Sequence, residues 1–268
     1  IHAVFVGKNP HPNWLVGGVP SPINVDDVGA VGAVNMERLN LVKSIIDRSV
    51  DFIEQVYLPD LVAIASFYKD WLYGGGLSSK CVLAYGDFPR HANNYTDLMM
   101  PRGAIINGNL ADVQDVDLRD LEQIKEYVPH SWYRYDDETK GLHPWEGVTE
   151  PNFQLGPNAK GSKTRIEQID EAAKYSWIKS PRWRGRAVEV GPLSRYILGY
   201  VHVSKGNKYC QRVKQQVDSA AVAINSAIPK ALGLPETNYS LKQLLPTTIG
   251  RTLARCLESQ YCAEMMMD

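Results

Sequence analysis

The chain has 268 residues, 44% of them hydrophobic, and its 29 Lys and Arg against 30 Asp and Glu give a formal net charge of -1. This length and apolar content suffice for a sizeable core, and a charged fraction of 22% argues against extended disorder. The balanced charge argues against a protein whose main partner is nucleic acid. No apolar run approaches the ~20 residues that cross a bilayer, so we expect no membrane-spanning helix.

The first quarter of the chain is predicted to be a loop followed by helices. A strand-like segment at His2–Val6 precedes a stretch rich in Pro and Gly that cannot be helical. From Asn35, a residue suited to cap a helix, apolar residues recur every three or four positions as far as Leu58–Pro59. A second helix is predicted at Pro59–Trp71, and Gly74–Gly76 ends it.

The rest of the chain alternates short strands, loops and helices. Residues 130–162 are dominated by aromatic, Pro and Gly residues without a clear period, which indicates a long irregular segment. The pattern predicts a mainly α fold of the α+β class, with small β elements and long ordered loops, as a single incomplete domain over residues 1–268. The predicted elements are strands at Cys81–Tyr85, Gly103–Ile106 and Tyr175–Val190, a short helix at Asp120–Tyr127, and helices at Leu193–Val203, Val213–Leu232 and from Thr248 onward, the last with Ile249, Leu253, Cys256, Leu257 and Tyr261 on one face.

The four cysteines, Cys81, Cys210, Cys256 and Cys262, form no CxxC pair and have no His at zinc-ligand spacing. Cys256 and Cys262 are six residues apart, so on a helix they point in different directions. We interpret the four as small buried side chains with inert thiols, while disulfides stay open.

The segment Gly7–Val19 presents one histidine on a rigid mount. Asn9 and His11 each precede a proline, which holds both in an extended conformation. Gly17 and Gly18 then permit a turn or a close backbone approach. An imidazole held this way could donate a hydrogen bond to a cluster sulfur, bind a metal or fix a neighbouring loop.

This segment resembles the motif of nickel–iron hydrogenase large subunits, in which a Lys and a Pro-His-Pro precede a Gly-Gly turn. The similarity is closest to the membrane-bound respiratory uptake group, and only residues 206–235 match loosely. The chain resembles the central portion of such a subunit, and both of its ends look cut. The similarity continues in order through Gly32–Leu39, Lys80–Leu83, His130–Tyr135, Tyr175–Trp183, Glu189–Arg195 and Gly250–Arg255.

The resemblance implies a nickel–iron centre with CO and cyanide ligands in the full-length subunit, held by two CxxC motifs. Neither motif is in this chain, so no catalytic residue and no metal ligand is predicted here. It also implies that His11, with Lys8 beside it, lies near the proximal iron–sulfur cluster of a small subunit. A cation and a hydrogen-bond donor there would favour the reduced cluster.

Two further groups are predicted to be architectural. Arg182, Arg184 and Arg186 would share one face of a strand and pair with acidic groups of a partner or a neighbouring loop. Arg195 would fall in the first turn of a helix, where a cation is disfavoured, and Glu189 is the nearest acidic candidate to offset it.

The resemblance implies H2 oxidation to protons and electrons by the full-length subunit, with the electrons passing to iron–sulfur clusters of the small subunit. We expect the isolated chain to be inactive. Two alternatives stay open: a non-enzymatic fragment or scaffold, and the related metal-free subunit of a quinone-reducing complex. The uptake group further implies a membrane-associated position on the periplasmic side and a membrane cytochrome b as partner.

Overall fold

The computed structural model describes residues 1, 4–5, 33–72, 74–76, 79–147, 149–157, 165–203, 210–227, 230, 233, 238 and 245–267. They divide into two compact units: a helical unit, Ile1–Gly74 with Arg212–Asp268, and a loop-rich unit, Gly75–Gln211. The predictions for Lys8 and His11 therefore lie outside the described residues.

The described elements confirm the predicted mixture of helices with small strands. The helices are α1 (Met36–Phe52), α2 (Leu58–Phe67), α3 (Pro192–His202), α4 (Cys210–Val222) and α5 (Thr248–Met265), with π turns at Ile53–Tyr57 and Ala223–Ala227 and a 3-10 turn at Lys69–Leu72. The strands are β1 (Val82–Ala84), β2 (Asp87–Pro89), β3 (Leu98–Met100), β4 (Gly103–Ile105), β5 (Val113–Gln114), β6 (Ile124–Tyr127), β7 (Gln154–Pro157), β8 (Arg165–Gln168) and β9 (Ser180–Trp183).

Helix α1 begins where the sequence predicts. The Asn35 side chain accepts a hydrogen bond of 3.0 Å from the Arg38 amide, which satisfies an amide that the helix itself leaves unpaired. At its other end the chain continues through the π turn into α2, because the Leu58 amide bonds the Ile53 carbonyl five residues back. Pro59 lies in the first turn of α2, as expected.

Helix α5 packs against α1, α2 and the π turn between them. Thr247 caps it by accepting a hydrogen bond of 3.0 Å from the Gly250 amide. The predicted apolar face is confirmed, because Ile249, Leu253, Cys256, Leu257 and Tyr261 are all buried.

In the loop-rich unit the strands are short and pair antiparallel. The strands predicted at Cys81–Tyr85 and Gly103–Ile106 are confirmed as β1 and β4. These two strands pair with each other, with Val82 opposite Ile105. The full arrangement is a three-stranded sheet β1-β4-β5 and three two-stranded pairs, β2-β3, β6-β9 and β7-β8. Helix α3 packs on β1, β3 and β4. A small core of Leu83, Ala104, Val116 and Trp183 lies inside this unit.

Three secondary-structure predictions are wrong. The helix predicted at Asp120–Tyr127 is a turn followed by β6, because the Asp120 carboxylate accepts the Glu122 amide at 3.0 Å and so competes with helical hydrogen bonding. The continuous strand predicted at Tyr175–Val190 is reduced to β9, after which Arg184 and Gly185, with φ of 46° and 74°, form a tight turn. In the strand-like opening segment, Val4 and Phe5 are helical.

For two further segments, the structure differs from the prediction only near the ends of the segment. Helix α4 begins three residues before the predicted Val213 and passes into a π turn at Ala223–Ala227. Residues 130–157 are mainly turns and isolated bridges, as expected, although β7 lies near their end. Among the described residues, no helix combines the length and the apolar character that a membrane crossing requires.

Candidate functional site

The four cysteines all lie among the described residues, and all four are free thiols. Cys81, Cys210 and Cys256 are buried and Cys262 is half-buried. Burial raises the pKa of the Cys210 thiol to about 12 and that of Cys256 to about 11. The buried-thiol prediction is confirmed for these three. A cysteine binds a metal as its thiolate, so the burial that keeps Cys210 and Cys256 protonated opposes metal binding by these two residues.

The part of the chain that the structure describes contains no group of side chains that could bind a nickel–iron centre. Within those ranges, no group of three or more His, Cys, Asp and Glu side chains could hold a metal ion. The described segments that carry the other motifs lie beside one another in two pairs.

The first pair of such segments is His130–Tyr135 with Tyr175–Lys179, which lie side by side although about 45 residues separate them in the chain. The Trp132 amide donates to the Ser176 carbonyl at 3.0 Å, and the Tyr175 amide donates to the His130 carbonyl at 3.1 Å. Around this junction the Trp177 ring meets Trp132, with centroids 5.1 Å apart and edge to face. The junction is thus fixed by backbone bonds and aromatic packing.

Lys179 is the most enclosed cation of this junction. Its side chain is 9% exposed, and its Nζ lies 3.3 Å from a Glu126 carboxylate oxygen and 3.1 Å from the Thr149 hydroxyl. The same Nζ lies over the rings of Tyr133 and Tyr135, 5.5 and 5.4 Å from their centroids. The ion pair and two ring faces together compensate the burial of the charge.

No role was predicted for Lys179 from the sequence, although the sequence contains a signal for its surroundings. Tyr133 and Tyr135 alternate, so an extended segment presents both on one side. The Tyr135 hydroxyl is buried without a hydrogen-bond partner among the described residues. A Cβ on Gly147 would lie 3.2 Å from that hydroxyl, so the absence of a side chain there leaves it room.

The arginine-rich segment forms a hairpin turn instead of one strand face. The Trp183 and Arg186 backbones exchange two hydrogen bonds of 3.0 and 2.9 Å around the turn. The Arg184 guanidinium lies 4.8 Å from the centre of the Trp183 ring. After the hydrogen bonds from the Glu122 amide and the Gln123 side chain, the positive charge of Arg184 also lowers the pKa of Asp120 in the neighbouring loop. The predicted pairing of Arg182 and Arg186 with acidic groups of a partner or a neighbouring loop stays a prediction.

Behind this turn, Trp183 is buried and donates from its indole to the Gln123 side-chain oxygen at 3.2 Å. The same oxygen accepts the Asp117 amide at 3.1 Å. Gln123 also donates to an Asp120 carboxylate oxygen at 3.2 Å. The hydrogen bond from the Glu122 amide, followed by the one from Gln123, lowers the pKa of Asp120. Gln123 thus ties the hairpin to the loop at 117–123.

The second pair of motif segments is Lys80–Leu83 with Glu189–Arg195. The Glu189 amide donates to the Cys81 carbonyl at 2.8 Å, and the Leu83 amide donates to the Glu189 carbonyl at 2.9 Å. Gly191, with φ of 106°, turns the chain into α3, a conformation that favours glycine. Asp87 supplies an acidic partner for Arg195, with the two charged groups 3.9 Å apart.

Backbone hydrogen bonds thus join segments that carry separate motifs of the sequence. Comparison with known proteins identifies the family to which the chain belongs. The family model of nickel-dependent hydrogenases matches residues 1–268. The chain belongs to this family. Uptake hydrogenase large subunits of Rubrivivax gelatinosus and Cupriavidus necator are 65% and 64% identical to it, over 100% and 99% of its length.

Solved structures of [NiFeSe] hydrogenases share the fold. Those from Desulfomicrobium baculatum and Desulfovibrio vulgaris Hildenborough have TM-scores of 0.62 and 0.61 and identities of 24% and 26%, and each match covers 99% of this chain. The chain spans only 44% of the length of these structures and of the two uptake hydrogenase subunits. The predicted resemblance to a nickel–iron hydrogenase large subunit is confirmed.

Proposed function

We propose that this chain is part of the catalytic subunit of an uptake hydrogenase, which oxidises H2 to two protons and two electrons. The observation that carries the proposal is an identity of 65% along the whole chain to an uptake hydrogenase large subunit. The same identity favours this function over a non-enzymatic scaffold and over a metal-free quinone-reductase subunit.

The nickel–iron centre, with its CO and cyanide ligands, would be held by CxxC motifs in the part of the subunit that lies outside this chain. Two observations support this division: no described cluster suits a metal, and burial keeps the Cys210 and Cys256 thiols protonated. When bound, the centre supplies the cleavage of H2. The described residues of this chain supply a scaffold of paired motif segments.

His11 and Lys8 would lie where electrons pass from the large subunit to the small subunit. We propose that both lie beside the proximal iron–sulfur cluster of the small subunit, where a positive charge and a hydrogen-bond donor stabilise the reduced, more negative cluster. The support is the Pro-His-Pro sequence, because its two prolines restrict the backbone around His11 and so would reduce the entropic cost of ordering this residue.

The small subunit is the first proposed partner, and the description of the relatives as large subunits supports it. A membrane cytochrome b and a membrane-associated position on the periplasmic side are proposed on the resemblance to the respiratory uptake group.

The test is made on the complete heterodimer, purified anaerobically. We expect nickel bound to the large subunit and H2-dependent reduction of an artificial electron acceptor. A nickel-free complex that reduces a quinone would support the metal-free alternative instead. A nickel-free complex without either activity would support the scaffold.

The role of His11 is tested by His11→Ala in the same heterodimer. Exchange of H2 with solvent deuterium needs no electron exit, so we expect nickel content and isotope exchange to stay at the wild-type level. Acceptor reduction should fall by about tenfold, which corresponds to roughly 1.4 kcal/mol in the barrier. Loss of nickel in the variant would show that His11 serves the metal centre and not the electron path.

A further inference from the structure

The end of α2 and the turn after it carry an exposed apolar strip, formed by Ile64, Phe67, Tyr68 and Trp71. Ile64 and Phe67 are three residues apart on one side of α2, Tyr68 directly follows the helix, and Trp71 lies in the 3-10 turn at Lys69–Leu72. Their exposed fractions are 45%, 74%, 53% and 47%. The Tyr68 and Trp71 rings stack with centroids 4.9 Å apart, so the strip continues past the end of the helix.

The other side of α2 is already buried. Leu61, Val62 and Ala65 have little exposed surface, and α2 packs there against α5. Apart from Asp60 in its first turn, the helix is therefore apolar on both sides, and a helix that is apolar all round is found in the interior of a protein. In the described part of this chain only one of its two sides is covered.

The chemistry of the strip indicates a permanent, apolar contact. Between Leu61 and Tyr68 there is no charged residue, and the nearest charged residues are Asp60, in the first turn of α2, and Lys69 and Asp70, which lie between Tyr68 and Trp71. At roughly 200 Å² for each large side chain, the exposed fractions amount to an apolar area on the order of 400 Å². That area matches the largest patches found on monomers, which are often functional. Transient redox contacts are small, whereas permanent interfaces are apolar and resemble a core cut in half.

We propose that the strip is a core contact, covered by an apolar segment of the same large subunit that lies outside this chain. The chain matches its relatives along its entire length yet spans only 44% of theirs, so more than half of each relative is additional polypeptide. In a subunit of the relatives' length, a segment of that additional polypeptide is covalently attached and meets the strip at high effective concentration. The inference rests on family membership and not on the proposed H2 oxidation.

Hydroxyl-radical footprinting with mass spectrometry tests the proposal, because Phe67, Tyr68 and Trp71 all oxidise readily. The full-length large subunit is measured without and with its small subunit, and each rate is divided by the rate in urea. Trp183 and Tyr196, which are 2% and 0% exposed, serve as buried references. We expect the three strip residues to be protected by at least about tenfold in the large subunit alone, like the references, and unchanged by the small subunit.

Three outcomes would overturn the proposal. Protection that appears only with the small subunit would assign the strip to the contact between subunits. Protection that rises with the concentration of the large subunit alone would assign it to a second copy. Rates near those in urea under every condition would show a strip that nothing covers.

Substitutions give an independent reading. Phe67→Asp places a charge in the proposed core contact, so we expect the oxidation of Tyr68 and Trp71 to rise by about tenfold. The matched control Gln55→Asp adds the same charge at an exposed position of the neighbouring π turn and should leave both rates unchanged. Phe67→Leu should retain wild-type protection. A Phe67→Asp subunit with wild-type protection would contradict the proposal.

Discussion

The two units of this chain are stabilised in different ways. In the helical unit, α5 buries one face whose residues recur every three or four positions, so the pattern that builds the element is local. In the loop-rich unit, the decisive contacts join residues far apart in sequence: Trp183 with Gln123, 60 residues away, and Lys179 with Glu126, 53 residues away. The buried face of α5 thus arises from residues close in the sequence, whereas the loop-rich unit, besides its small apolar core, depends on contacts between distant segments.

The largest expected effect sharpens this contrast in the helical unit. Leu257 is 2% exposed on the buried face of α5, so Leu257→Ala leaves a cavity and should lower the free energy of unfolding by about 3 kcal/mol. Hydrogen exchange of the purified full-length subunit should show lost protection in α5, with β6 and β9 unchanged. The control Ser259→Ala removes only a side-chain bond to the Arg255 carbonyl and should change stability by less than about 0.5 kcal/mol. An equal loss in β6 and β9 would show that the two units unfold together.

A smaller effect is expected for the enclosed ion pair of the loop-rich unit. Lys179→Met leaves Glu126 without its ammonium partner and should lower the free energy of unfolding by about 2 kcal/mol. Arg134→Met removes the ion pair between Arg134 and Glu150, whose charged groups are closer together, at 2.6 Å. Both of these side chains are more than half exposed. This substitution should therefore cost less than about 1 kcal/mol. Urea denaturation of the two variants measures both values, and equal costs would mean that enclosure does not decide the strength of these pairs.

The smallest effect at neutral pH concerns the thiols. Burial raises the pKa of Cys256 and Cys210 above the ordinary value of 9.0, so the folded state keeps both protons at a pH where the unfolded state releases them. Their contribution to stability is therefore complete below about pH 9 and is lost as the pH rises through about 11 to 12.

Alkylation by iodoacetamide at pH 8, read by peptide mass spectrometry, checks this protonation. Cys256 and Cys210 should stay unmodified in the native subunit and react after unfolding in urea, while the half-buried Cys262 reacts faster than either. Rapid native alkylation of Cys256 would show that its surroundings stabilise a thiolate.

The same contrast explains what the sequence could predict. The Asn35 cap and the buried face of α5 follow from neighbouring residues, so both were predictable. The strand β6 was not, because it forms only when Ser180–Trp183 pairs with it from the other end of the unit. The turn at Arg184–Gly185 lies within an alternating pattern that favours a strand, and a left-handed conformation at Arg184 has no local signal.

The candidate site likewise contains some features that the sequence predicted and others that it did not. The burial of Cys81, Cys210 and Cys256 was predictable from their isolation in the sequence. The Lys179 site was not, because Glu126 and Thr149 reach it from distant segments. The placement of His11 and Lys8 beside an iron–sulfur cluster stays a prediction.

We propose that hydrogen chemistry belongs to the complete subunit and that this chain contributes part of its scaffold. Anaerobic H2-dependent dye reduction, measured side by side on the complete heterodimer and on the purified chain of residues 1–268, tests it most directly. We predict activity for the heterodimer and none for the chain alone. Dye reduction by the chain alone, or none by a nickel-containing heterodimer, would contradict the account.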